Sequence, residues 1–164
     1  MKRTTFLLSL IICLMSYSFV SAQTVFVLVR HAEKEQDGSK DPNLNNVGID
    51  RAAKLMEILT QQSISGLYAT PYKRTQQTLT PLATAKELSV NTYKPFDEEF
   101  LPSLFENHSN GYVVVSGHSN TIPVLVNQLI GEDRYEQLEE TDYNDIFIVT
   151  AESLGTGTVV HLTY

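Results

Sequence analysis

Cysteine is nearly missing from this chain, whose 164 residues include only Cys13. A single thiol closes no intramolecular disulfide, so the fold has to be held by its core. Basic residues are scarce as well, with 12 Lys and Arg against 19 Asp and Glu and a formal net charge of −7. That balance argues against nucleic acid or an anionic membrane surface as the partner. There is one long apolar run, Phe6 to Val20. It falls short of the roughly 20 residues that a membrane-spanning helix requires. Residues 23–164 contain no repeat, low-complexity tract or linker.

What is present begins with a leader. A basic start, MKRTT, precedes that apolar run, and Val20 and Ala22 are the small residues expected at a cleavage point after Ala22. Residues 1–22 therefore read as a secretory signal peptide, which implies a secreted or periplasmic protein. Ile11 and Ile12 stand before Cys13 where a lipoprotein signal needs small residues, so lipid attachment is disfavoured. Removing residues 1–22 takes away Lys2, Arg3 and no acid, leaving 10 basic against 19 acidic residues, a net −9. The remainder, residues 23–164, is one domain of ordinary size with no thiolate for metal binding or catalysis.

Along that domain, apolar runs alternate with helix-like segments. Strands are expected over residues 24–30, 64–70, 90–94, 111–117, 145–151 and 157–164. Helices are expected over about 45–62, 72–88 and 121–130, with a polar helix or loop over 97–109. Ile49, Ala52, Ala53, Met56 and Leu59 share helical spacing and are expected to cover one sheet face. This order implies a three-layer α/β/α fold around a mostly parallel sheet. Only the short loop ESLGT separates the last two runs, which are expected to form an antiparallel hairpin at the sheet's end.

Three of these strands end in charged or imidazole side chains. VFVLV runs into Arg30 and His31, ISGLYAT runs into a turn that carries Arg74, and YVVVSG runs into His118. Ligands of open α/β sheets bind at the carboxyl ends of the strands, so these groups converge on an anion site. Two guanidinium groups can grip a phosphoryl dianion while leaving its in-line face open. Helix starts after Thr70 and Gly117 would add backbone donors, and Gly117 allows close approach of the main chain. A neutral imidazole can then attack phosphorus, and water later hydrolyses the covalent product.

On these residues the chain resembles the histidine phosphatase superfamily, whose fold is phosphoglycerate mutase-like. The resemblance rests on Arg30-His31-Ala32-Glu33-Lys34, on the segment from Ala69 to Thr78, and on Val115 to Thr121, supported by Asp41 to Gly48. It implies that His31 is the phosphorylated nucleophile and that Arg30 and Arg74 clamp the phosphate. His118 would be the second catalytic histidine, with Ser119 adding a phosphate contact. The family's general acid follows the third strand, where this chain offers Asp97, Glu98 and Glu99, with Asp97 preferred, although shorter members can lack an evident acid; Asp97 also reads as a helix N-cap. No metal or cofactor is implied. Larger members carry lid insertions, whereas the short joins here imply an open pocket. Its partner would be a phosphorylated small molecule or a phosphoprotein, phosphohistidine included, and mutase chemistry is disfavoured.

Three other readings compete. Gly117-His118-Ser119-Asn120-Thr121 is similar to a serine hydrolase elbow, with Asp145 and His161 following in order, but Thr121 replaces the last glycine. That reading also leaves Arg30, His31 and Arg74 without a role. A metal held by His31, His118 and a carboxylate would be repelled by the flanking arginines. A non-catalytic module that only binds phosphate is the third. His108 is expected to be exposed, His161 to lie in an edge strand, and Tyr68, Tyr72 and Tyr93 to pack in the core or at the pocket rim.

Overall fold

The computed structural model describes residues 22–164. All but the last residue of the expected signal peptide lies outside the described residues. Among those residues no helix is long and apolar enough to cross a membrane.

Six strands form one sheet: β1 (Thr24–Arg30), β2 (Ile64–Ala69), β3 (Val90–Thr92), β4 (Tyr112–Gly117), β5 (Asp145–Ala151) and β6 (Thr158–Thr163). Their spatial order is β3-β2-β4-β1-β5-β6. The first four run parallel, while β5 pairs antiparallel with both β1 and β6. The expected hairpin therefore closes one edge. Strand β1 is buried almost throughout because it is central and covered on both faces, which is why its sequence does not alternate.

Four helices cover the two faces. Helices α1 (Asn46–Leu59) and α2 (Lys73–Lys86) pack Leu55, Leu59, Leu79 and Leu82 against Val27, Val29, Leu67 and Ile146. On the other face, α3 (Phe100–Asn107) and α4 (Ile122–Ile130) pack Leu104, Ile122, Val126 and Leu129 against Phe26, Leu28, Val113 and Phe147. The result is the expected three-layer α/β/α arrangement.

One detail of patterning differs. The inward row of α1 is Gly48, Ala52, Leu55 and Leu59, whereas Ile49 is 55% exposed and Ala53 and Met56 are only partly buried. Gly48 sets this rotation by lying against the backbone of Glu33, where a Cβ would come within 2.1 Å of the carbonyl oxygen. The close approach turns the helix so that the 48-52-55-59 row faces inward.

Candidate active site

Strand register brings the three motifs to one level. Arg30 pairs with Gly117 across β1 and β4, and Ala69 pairs with Ser116 across β4 and β2. The next residues, His31, His118 and Thr70, therefore leave three adjacent strands together. The His31 amide also donates to the Gly117 carbonyl at 2.9 Å. Gly117 is needed here for close packing, since a Cβ would lie 2.7 Å from Thr121 Oγ1 and 2.9 Å from Ile122 Cδ1. That same Thr121 hydroxyl accepts the His118 amide at 2.8 Å.

Arg30, His31, Arg74, His118 and Ser119 line one cavity of about 330 Å³. The two imidazole rings meet edge to face with centroids 5.4 Å apart. His31 is buried, and its Nδ1 lies 2.8 Å from the Ala32 carbonyl oxygen. A carbonyl only accepts, so Nδ1 carries the proton and the Nε2 lone pair is left free. Burial lowers the His31 pKa from 6.5 to about 3, with Arg74, His118 and Arg30 adding repulsion against the Ala32 carbonyl's opposing pull. His118 is lowered to about 4, first by burial and then by Arg74 and Arg30. Both rings are neutral at physiological pH.

A hydroxyl chain orients the second ring. His118 Nε2 lies 2.9 Å from Thr70 Oγ1, which lies 2.9 Å from Thr75 Oγ1. The Thr75 hydroxyl donates to the carbonyls of Thr70 and Tyr72, each at 2.8 Å. Because the chain ends on carbonyls, its protons run from His118 Nε2 through Thr70 to Thr75. His118 Nδ1 is then the acceptor, 3.5 Å from Arg74 Nη2.

The arginines are held differently. Arg30 is only 2% exposed; its Nη1 donates to the carbonyls of Glu139 and Asp142, both at 2.7 Å, and its guanidinium lies 4.1 Å from the Tyr143 ring centroid. Arg74 lies 4.5 Å from the Tyr72 ring centroid and 3.8 Å from an Asp41 carboxylate oxygen. Both Nε–H groups are buried without a partner among the described residues.

The other polar residues of the α2 motif brace the site. Gln77 accepts the Leu44 amide at 2.8 Å, and Thr78 Oγ1 accepts the Ala32 amide at 2.9 Å, directly beside His31. The expected helix-terminus donors are partly engaged within the protein. The Lys73 amide donates to Asp41 and the His118 amide to Thr121.

The structure does not bring Asp97 into this cavity. It follows β3, an edge strand beyond β2, and its carboxylate instead accepts the Glu99 amide at 3.2 Å. Asp97 thus serves a turn, and the N-cap of α3 is Glu99. The carboxylate that does line the cavity is Glu140, in the irregular segment between α4 and β5. No motif marked that segment. Lys34 and Tyr72 also line the cavity.

The hydrolase triad is not assembled. Asp145 and His161 are 2.5 Å apart across β5 and β6, while the Ser119 hydroxyl donates to Glu140 at 3.2 Å. Strands β1 and β5 separate β4, which leads into Ser119, from β6, which holds His161. His108 is not fully exposed, since its Nε2 lies 2.7 Å from the Tyr68 hydroxyl. Among the described residues no three His, Cys, Asp or Glu side chains group as metal ligands.

Two neutral histidines between two arginines, at the carboxyl edge of a mostly parallel sheet, define an α/β protein of the phosphoglycerate mutase-like fold. Residues 26–102 match the family model of the histidine phosphatase superfamily, branch 1. Phosphoserine phosphatase 1 of Hydrogenobacter thermophilus is 37% identical over 70 residues, 39% of this chain and 33% of that protein. The match thus spans about a third of that relative's length. Among solved structures, the protein histidine phosphatase SixA complexed with tungstate superposes with a TM-score of 0.70 at 22% identity, covering 85% of this chain and 96% of that one. The native mycobacterial glucosyl-3-phosphoglycerate phosphatase superposes with a TM-score of 0.70 at 13% identity, covering 84% and 97%.

Proposed function

We propose that this protein is a metal-independent phosphatase acting through a phosphohistidine at His31. One observation carries the reading: His31 is neutral, its Nδ1–H is tied to Ala32 so that Nε2 is left free, and the residue lines a cavity with Arg30, Arg74 and His118. An imidazole held in that tautomer is a ready nucleophile. Nε2 attacks phosphorus in line with the departing oxygen, and the two guanidinium groups take up charge on the non-bridging oxygens. Water then displaces the imidazole and releases phosphate. Positive charge from two arginines replaces what a metal would supply and disfavours a cation beside it.

The substrates are phosphomonoesters or phosphohistidine on a small molecule or protein. The Glu140 side chain is 75% exposed and Tyr72 39% exposed at the cavity rim, so the mouth admits a displayed phosphoryl group. Phosphoserine phosphatase 1 and SixA act on such groups by their names, which supports this range. The leader sequence supports a secreted or periplasmic site of action.

The test is turnover of p-nitrophenyl phosphate by the purified protein and by His31→Ala. The wild type should release phosphate, and the variant should be slower by at least about a thousandfold. Tight phosphate binding without turnover would instead identify a binding module.

A further inference from the structure

We propose that Glu140 is the general acid and base of this site, a role that rests on the phosphatase reading above. Among the described residues lining the cavity, Glu140 is the one carboxylate. One of its oxygens lies 3.2 Å from Arg30 Nη2 and the other accepts from Ser119 Oγ at 3.2 Å. It therefore stands between a clamp arginine and the residue that follows His118. Its segment is fixed to the site: Arg30 Nη1 donates to the carbonyls on either side, Glu139 and Asp142, and the Leu138 amide donates to the Ser119 carbonyl at 3.0 Å. The carboxyl remains open to water, with 75% of the side chain exposed, so it exchanges protons with solvent.

In the free enzyme the carboxylate pairs with Arg30. A phosphoryl dianion competes for the same guanidinium, and two negative groups sharing one cavity favour uptake of a proton by the carboxylate. As the His31 Nε2 lone pair forms the P–N bond, the P–O bond breaks, its electrons stay on oxygen, and the Glu140 proton completes the alcohol. In the second half, the carboxylate takes a proton from water as the water oxygen bonds phosphorus. The P–N electrons return to Nε2, phosphate leaves, and the proton passes from Glu140 to solvent. The sum is ester plus water giving alcohol plus phosphate.

The assignment is tested by leaving-group dependence. Glu140→Gln and wild type are compared on p-nitrophenyl phosphate, whose leaving group departs as a stable anion, and on glycerol 2-phosphate, whose alkoxide needs a proton. Loss of the acid should lower kcat/KM for the alkyl ester about a hundredfold more than for the aryl ester. Glu140→Asp, which keeps a carboxyl, should recover part of that difference. Parallel losses on both esters would overturn the assignment and leave Glu140 as a positioning residue for Arg30 and Ser119; no loss on either would overturn it outright. A wild type inactive on both esters and on a phosphohistidine peptide would overturn the phosphatase reading itself, and this assignment with it.

Discussion

At the scale of single residues, the site depends on keeping two histidines neutral. An ordinary histidine protonates near pH 6.5, but folded His31 does so near 3 and His118 near 4. Between those values and 6.5 the unfolded chain binds more protons than the folded one, so stability falls as the pH drops through that window. For His31 alone the loss at pH 4.5 is on the order of 2 kcal/mol. Denaturant midpoints should therefore fall more between pH 7 and 4.5 for the wild type than for His31→Asn; equal falls would contradict the neutral, buried imidazole. Thr70 is the second such residue, since it fixes the tautomer of His118. Thr70→Val keeps the shape and removes the hydroxyl, and should lower kcat about tenfold, the equivalent of one hydrogen bond. An unchanged rate would show that the hydroxyl chain does not orient the ring.

At the scale of elements, the alignment of strand ends makes the site. Arg30, Arg74 and His118 were legible in the sequence because each follows a recognisable apolar strand, and the parallel register brings those ends level. Much of the bracing was hidden. Thr75, Gln77 and Thr78 look like ordinary helix residues until their partners at Thr70, Leu44 and Ala32 are known. Glu140 left no signal, because it lies in irregular chain with neither period nor motif. The rotation of α1 was also unreadable, being set by one backbone approach and not by apolar spacing. Gly48→Ala tests that approach: the added methyl should cost about 1–3 kcal/mol of stability and displace the segment behind His31. A variant with the wild-type midpoint and activity would show that Glu33 can yield.

At the scale of the whole molecule, a strongly acidic chain surrounds a small basic cavity. Sequence-distant groups reach that cavity only when the sheet closes, so activity and global folding should be lost together. The fold was readable almost entirely, including the antiparallel closing hairpin, because central strands and amphipathic helices announce themselves by pattern. Covalent capture of the phosphoryl group by His31 is the step most directly open to measurement. Wild-type protein turning over a 32P-labelled phosphomonoester, quenched in denaturant and mapped, should carry a base-stable, acid-labile label on the peptide containing His31, absent in His31→Ala. Steady turnover with no label at His31, or the same label in the variant, would contradict it.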